Sequence, residues 1–317
     1  MQRSFELSYI REITMQKIGI ITINYYSEDL IARFIKGLLD QVYKNWVLVI
    51  VNNSPDDTSI KKVIESSGSE KILLLNINKN VGYSEANNSG FSYLLDRNKI
   101  DNNDIVFFSN EDIVIKDKDF LNNSVELLNK LNCGFLGPKI VNNDGSLMLP
   151  HLKNTGFLKC MFHIGNNGKV DRVFAINKNF KNMTKPSKVF LLNGACFFCR
   201  VSDFSKAGMF DTNTFIYYAE ELVYRKVNDC RISVFYCPEV EVFHEHSGSV
   251  KKILGLIRKK RSVYQSELYF LTKILKINKF LLILFKTERN IEFLLVKFIS
   301  ALKLARKSRQ SGTAVNN

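Results

Sequence analysis

Hydrophobic and polar positions alternate between two periods along the first third of the chain. Lys17 to Asn24 (KIGIITIN) is an apolar, β-rich run that ends in polar residues. Glu28 to Asp40 then places Leu30, Ile31, Phe34, Ile35, Leu38 and Leu39 at helical spacing. Trp46 to Val51 (WVLVIV) predicts a second strand, closed by Asn52-Asn53-Ser54-Pro55-Asp56-Asp57, a turn and helix-start signal. A short helix over Thr58–Ser66, a strand over Lys71–Ile77, a helix over Ser84–Asp96 and a strand over Asp104–Phe108 follow. Strands that are apolar throughout and separated by helices indicate a mostly parallel sheet covered on both faces. Sheets of this kind bind ligands beyond the carboxyl ends of their strands. That directs attention to Asn24–Ser27, Asn52–Asp57, Asn80–Gly82 and Asn110–Asp112.

Beyond Asp112 the pattern is less regular. Cys133–Val141, Val189–Arg200 (interrupted by Gly194), Arg231–Tyr236 and Val240–Phe243 read as strands. Ser202–Gly208 and Ala219–Asn228 read as helices, and Asn142–Lys188 as a loop-rich segment. After His244 the chain turns helical and basic.

Charge sharpens this division. Residues 1–250 carry 29 Lys/Arg against 28 Asp/Glu, whereas residues 251–317 carry 16 against 3, so almost all of the net +14 sits in the last fifth. A near-neutral globular body therefore precedes a basic region suited to an anionic partner. No apolar run approaches the roughly 20 residues that span a bilayer. The N-terminus lacks the apolar block of a signal peptide, and Met15 is an alternative start. Six scattered cysteines in a chain of this size fit a reduced, cytoplasmic protein. Cys196 and Cys199 form a CxxC, but on a strand they face opposite sides, which disfavours a shared metal.

The turn after the first strand, Asn24-Tyr25-Tyr26-Ser27-Glu28, has no glycine, and no GxxxxGK[ST] occurs. Classical dinucleotide binding and P-loop chemistry are thereby disfavoured. Three groups remain as candidates for chemistry. Asn110-Glu111-Asp112 closes a buried strand, where carboxylates can hold Mg²⁺ or Mn²⁺ against substrate phosphates or simply cap a helix. Glu220-Glu221 opens a helix after an aromatic run, as a general base or as an ordinary acidic first turn. His244 and His246 follow the last strand.

In order, these pieces are TxNYYS, NNSPDD, NVGYSEANNSG, DIVFFSNED, NGACFFCR, MFDTNTFIYYAEE and VFHEHSGS. Over residues 17–250 the series resembles the inverting family 2 glycosyltransferases of GT-A fold, in particular the rhamnosyltransferase-like branch of bacterial polysaccharide synthesis. The resemblance implies an α/β fold with a GT-A-like, mostly parallel sheet flanked by helices. It implies an extension at 1–16, a nucleotide-binding half at 17–112, an acceptor-binding half at 113–250 and a basic helical region at 251–317.

It further implies donor contacts from Thr22, Asn24, Tyr25, Asn52, Asn80, Gly82, Asn87, Asn110 and Gly194. Asn52 stands where the family usually has Asp, and can still exchange two hydrogen bonds with a pyrimidine edge. The glycine after Asn80 would let donor approach the backbone closely. Asp112, supported by His244, maps to the metal site for Mg²⁺ or Mn²⁺. Glu221 maps to the catalytic base, with Glu220 as a supporting acid; Glu221 replaces an Asp, and Val223 a frequent acid.

The implied partners are a UDP- or dTDP-linked sugar and a saccharide or lipid-linked saccharide acceptor. The departures at Asn52, Glu221 and Val223 leave open a catalytically impaired module that binds saccharide or scaffolds a membrane complex. No RRM, zinc-finger or homeodomain pattern supports a specific nucleic-acid partner.

In the basic region Ser262-Val263-Tyr264-Gln265 fits a capping box, and Tyr264, Leu268, Leu271 and Leu275 share one helical face. Thr287 can start a further helix carrying Ile291, Leu294, Phe298 and Leu302 on one face. Basic residues around both stripes predict helices seated on an anionic membrane, peripheral to its inner face. The alternative is that the stripes pack on the catalytic body or form a homodimer contact.

Overall fold

The structure, a computed structural model, describes residues 16–154, 156–162, 183–245 and 253–313. The extension before residue 16, His246, and residues 155 and 163–182 of the Asn142–Lys188 segment lie outside the described residues. The chain divides into two compact units, Met1–Asn154 with Asp171–Ser247 and Thr155–Val170 with Gly248–Asn317.

The first unit is built on one mixed sheet. Strands β1 (Ile18–Asn24), β2 (Trp46–Asn52), β3 (Ile72–Asn76) and β4 (Ile105–Ser109) run parallel in the order β3-β2-β1-β4. The sheet continues through β9 (Cys196–Arg200), antiparallel to both neighbours, then β6 (Phe135–Asn142), β10 (Val234–His244) and the two-residue β5 (Ile113–Val114). Short strands β7 (Leu147–Met148) and β8 (Ser187–Lys188) pair with β6 and β10. All seven β2 residues are buried, because helices cover both faces.

On one face α1 (Glu28–Leu39), α2 (Thr58–Ser67) and α4 (Phe120–Lys130) pack Phe34, Leu38, Ile60, Phe120 and Leu128 against Ile18, Ile20, Leu48 and Ile50. On the other, α3 (Tyr83–Asp96), α6 (Val201–Lys206) and α7 (Ala219–Asp229) pack Phe91, Leu94, Phe204, Val223 and Tyr224 against Ile21, Val49, Val51 and Phe108. The sidedness follows from the period-2 alternation of the strands. Cys196 and Cys199 accordingly lie in opposite cores, and none of the six cysteines is in a disulfide.

Two strand assignments change. The run Val189–Arg200 is a strand only from Cys196, since Asn193 Oδ1 turns back to accept the Ala195 N–H at 2.9 Å. The pair read as Arg231–Tyr236 and Val240–Phe243 is one strand, β10, with a register shift between Cys237 and Glu241. Pro238 falls in that gap, where the ladder needs no N–H from it. Gln16 also belongs to the folded body, accepting an Nδ2 hydrogen bond from Asn129 at 2.8 Å.

The second unit contains α5 (Gly156–Phe162), α8 (Ile253–Tyr269), a π-helical turn at Phe270–Ile274 and α9 (Lys279–Thr313). Tyr264 stacks on Phe285 with ring centres 5.8 Å apart, and Phe270, Leu271 and Phe285 are buried. Arg289 holds Glu267 with two 2.9 Å bonds, both side chains almost fully buried. The Tyr264–Leu271 stripe therefore packs inside this unit and is not a membrane face. Neither expected helix start is used: Ser262 lies inside α8 and Thr287 inside α9, because nothing helix-breaking precedes either.

Candidate active site

The carboxyl ends of β1, β2 and β3 finish on asparagines held in register, Asn24 beside Asn52 and Asn52 beside Asn76. Asn24 Nδ2 donates to Asn52 Oδ1 at 2.9 Å, and Asn52 Nδ2 donates to Asn76 Oδ1 at 3.1 Å. Asn76 Nδ2 continues to Asp57 Oδ2 at 2.6 Å, which pairs with Lys61 at 2.7 Å. Asn52 Oδ1 also accepts the Ser54 N–H, and its Nδ2 reaches the Asp56 carbonyl.

Asn52 is thus fully buried with both ends of its amide engaged. In this arrangement it orders the loop after β2 and offers no free edge to a base. Three in-register amides satisfy one another, whereas a carboxylate at position 52 would lack the donors that Asn76 and Asp56 accept. Asn24 is engaged too, with Glu28 and Ser27. Tyr25 and Tyr26 next to it are exposed, their rings edge-on at 4.9 Å. The Oγ1 of fully buried Thr22 has no hydrogen-bond partner among the described residues.

Helix α3 starts at the same edge. Asn80, exposed, accepts the Gly82 N–H at 3.0 Å. Gly82 has φ 85°, and a Cβ there would stand 2.2 Å from the Phe215 carbonyl oxygen. The backbone that approaches Gly82 is therefore the 209–218 loop, not open donor space. Tyr83 N–H donates to the same carbonyl at 2.7 Å. Asn88 grips that loop with both ends of its amide, donating to Phe210 O at 3.0 Å and accepting Phe210 N–H at 3.1 Å. Asn87 is buried and donates to Tyr83 O within its own helix. Two further buried oxygens, Asn53 Oδ1 and Ser84 Oγ, have no hydrogen-bond partner among the described residues. Orphaned polar atoms at a sheet's carboxyl edge are what a ligand would satisfy. Asn53, Ser84, Tyr83 and Asn88 all lie inside sequence motifs already singled out, but side-chain direction alone separates them from their neighbours.

Past β4, Asn110 N–H donates to Ala195 O at 2.8 Å, joining the end of β4 to the entry of β9. Two residues on, Asp112 Oδ1 lies 3.0 Å from His244 Nε2, and His244 Nδ1 is 3.4 Å from Asn142 Oδ1. The structure thus brings together the two residues expected to bind a metal. Glu245 N–H donates to the Asp112 carbonyl and its carboxylate pairs with Arg33, which anchors the end of β10. Burial pushes the Glu111 carboxyl up from its ordinary value, with the Asp112 charge adding to the shift. One carboxylate and one imidazole suit a divalent ion whose remaining positions are filled by phosphate and water. No group of three or more His, Cys, Asp or Glu is positioned for a metal among the described residues.

Glu220 and Glu221 form the first turn of α7, where the helix dipole favours negative charge. Tyr218, at φ 70°, turns the chain into that helix. A Cβ at Gly194 would fall 2.1 Å from Glu220 Oε1. Gly194 is glycine because the Glu220 carboxylate occupies the space a side chain would need, so its contact is with the acid pair. Tyr83 donates its hydroxyl to Gly194 O at 2.7 Å, and burial first, then the Glu220 charge, pushes its phenol well up. Glu221 is buried, at 4% exposure.

Comparison with known proteins bears on this arrangement. Residues 18–208 match the model of "Glycosyl transferase family 2". Over 149 residues, 44% of this chain, the sequence is 30% identical to the Escherichia coli UDP-Glc:alpha-D-GlcNAc-diphosphoundecaprenol beta-1,3-glucosyltransferase WfgD; the match takes in 56% of that protein, little more than half its length.

Among solved structures, the fold is similar to the mannosyltransferase PcManGT from Pyrobaculum calidifontis in complex with GDP-Man and Mn²⁺. There the TM-score is 0.53 at 15% identity, covering 98% of this chain and 87% of that one. GalNAc-T7 with UDP, GalNAc and Mn²⁺ gives 0.51 at 12%, covering 77% of this chain and 47% of that one. S. aureus TarS 1-349 gives 0.50 at 13%, covering 80% and 66%. With a family match across well over half its length, on a GT-A-like sheet, the chain belongs to glycosyl transferase family 2.

Proposed function

We propose that the protein transfers a sugar from a UDP- or dTDP-linked donor to a hydroxyl of a saccharide or lipid-linked saccharide, with inversion, in cell-surface polysaccharide synthesis. One connection carries the reading. The acid turn Glu220–Glu221 abuts Gly194, the adjacent Ala195 carbonyl holds Asn110, and Asn110 stands two residues before Asp112. A candidate base and a candidate metal acid therefore share one edge of the sheet. The E. coli relative, named for a diphosphoundecaprenol-linked acceptor, supports the lipid-linked class.

In this mechanism Glu221 takes the proton of the acceptor hydroxyl. The acceptor oxygen bonds to the anomeric carbon on the face opposite the nucleotide, and the bond from that carbon to the diphosphate oxygen breaks. The electron pair leaves with the diphosphate, so the configuration inverts. Asp112 and His244 would hold Mg²⁺ or Mn²⁺, which when bound supplies positive charge beside the leaving group. Glu221 is buried at the head of α7, and Glu220 supports it from the same turn. The tyrosine pair Tyr25–Tyr26 offers exposed rings beside the strand ends for a base or sugar to lie against.

The test is turnover of labelled nucleotide sugars by the intact protein. Glu221→Gln should lower kcat by about 10²–10⁴-fold with donor affinity nearly unchanged. Loss of activity in Glu220→Gln with full activity in Glu221→Gln would move the base by one position. Saturable donor binding without transfer or hydrolysis across the panel would instead establish a non-catalytic saccharide-binding module.

A further inference from the structure

The second unit segregates its charges and its apolar surface in an unusual way. Residues 251–317 contain only three acids, Glu267, Glu288 and Glu292. All three are gathered at one place: Arg289 binds Glu267, Glu288 and Glu292, and Lys260 binds Glu292. The Arg289 guanidinium also donates to the Cys160 carbonyl, so the cluster faces α5 and α8. Apart from Lys260 and Arg289, the other 14 of the 16 basic residues in this stretch have no acid left within it to balance them.

The opposite face of α9 is apolar and open. Phe280, Ile283, Leu284, Ile291, Leu294 and Leu295 fall at spacings of 3, 1, 7, 3 and 1, which is one stripe of an α-helix. Their exposures are 73, 63, 46, 55, 65 and 55%. On the buried side of the same helix Phe285 and Arg289 are nearly inaccessible, so the outer stripe is not a frayed core face. It runs about 22 Å along the helix. Exposed Lys279 and Lys286, seven residues apart, lie along one edge of it. Farther along the same helix come Lys297, Lys303, Arg306, Lys307 and Arg309. No described helix is long and apolar enough to cross a membrane.

We infer that this outer stripe of α9 is a seat on an anionic lipid surface, with Phe280, Ile283, Leu284, Ile291, Leu294 and Leu295 entering the headgroup–acyl boundary and the lysine edge meeting lipid phosphates. Charge decides the occupant. A second copy of the chain would bring the same excess of positive charge to the contact and repel, whereas an anionic bilayer complements both the stripe and its edge. A helix lying in the interface with apolar residues on one side and lysines at its margin has this composition. The inference rests on residues remote in sequence from the proposed catalytic groups and does not need them to be active.

Co-sedimentation of the full chain with vesicles tests it, comparing phosphatidylcholine alone with phosphatidylcholine containing phosphatidylglycerol. Binding is expected to the anionic vesicles at low salt, weakened but not abolished at high salt, because part of it is apolar. The double variant Ile283→Glu/Leu294→Glu should bind at least about tenfold more weakly. Its melting temperature and its binding of UDP should match those of the parent. A parent that ignores anionic vesicles overturns the inference. So does a double variant that binds as well as the parent, which would leave charge attraction alone. A concentration-dependent dimer, abolished by the double variant and formed without vesicle binding, would assign the stripe to a second copy instead. UDP binding and sugar turnover, measured separately, report on the catalytic reading whatever the vesicles show.

Discussion

Gly194 shows how a single position is decided by what lies opposite it. At Gly194 the neighbour is a carboxylate, 2.1 Å from where a Cβ would sit. Gly194→Ala must therefore displace Glu220 or shift the loop carried by Tyr83. Turnover should fall by on the order of 100-fold, as expected when a reacting group moves about 1 Å, while UDP affinity changes little. Steady-state kinetics alongside calorimetry would show this; an alanine variant with normal kcat would mean that Glu220 has no part in positioning.

Asp203 offers a second residue-scale test. Burial raises its pKa from the ordinary 3.8, with Arg200 and Lys206 opposing. A raised folded value means that the protonated carboxyl is favoured in the fold. Its contribution to stability is thus complete below pH 3.8 and is lost as pH rises through the folded value, after which it is flat. Asp203→Asn should remove that downward slope from a series of melting temperatures across acid pH. An unchanged slope in the variant would assign it to other groups.

Among the elements, α3 does more than cover the sheet. Its first turn begins at Gly82 beneath the Phe215 carbonyl, and Asn88 fastens Phe210. The loop held at these points runs directly into Glu220 and Glu221 at the head of α7. Asn88→Ala leaves both Phe210 backbone groups without their partner. A cost of about 1–3 kcal/mol in stability follows from the lost pairing. If the clamp also positions the acids, kcat should fall while KM for donor stays put, and Asn88→Asp should rescue less than half the loss because it cannot donate to Phe210 O. Equal loss of kcat and stability-driven loss of active protein, with specific activity unchanged, would leave Asn88 purely structural.

At the scale of the whole molecule, donor binding and metal binding are expected to be one event. Asp112 lies in the turn just before β5 and His244 ends β10, the strand that pairs with β5; far apart in the chain, they meet at the carboxyl edge of the sheet. Calorimetry of UDP with the intact protein should show affinity lost on adding EDTA and restored by Mn²⁺. Asp112→Asn should weaken the Mn²⁺-dependent part and leave the metal-free part unaltered. Saturating UDP with Mn²⁺ at about 100 times the dissociation constant would raise stability by about 2.7 kcal/mol. Equal UDP affinity with EDTA and with Mn²⁺ would remove the metal from donor binding.

The sequence by itself determined the α/β class, the order of the first four strands and their helices, and the edge of the sheet where polar residues gather. It could do so because strands buried on both faces must be apolar throughout, and because polar residues return only where each strand leaves the core. The motifs also brought Asp112, His244, Glu220 and Glu221 to notice.

Only the tertiary structure decided what the neighbouring residues face. Asn52 reads as an amide awaiting a base, yet in-register partners at Asn24 and Asn76 engage it fully. Gly82 reads as room for a donor, yet a carbonyl from the 209–218 loop fills that room. The two amphipathic stripes of the C-terminal region look alike in sequence, but Tyr264 and Leu271 pack inward whereas Ile291 and Leu294 face solvent. In each case the deciding neighbour is distant in the chain or on another element. Periodicity gives a side chain a face, and only the packed structure supplies what stands against it.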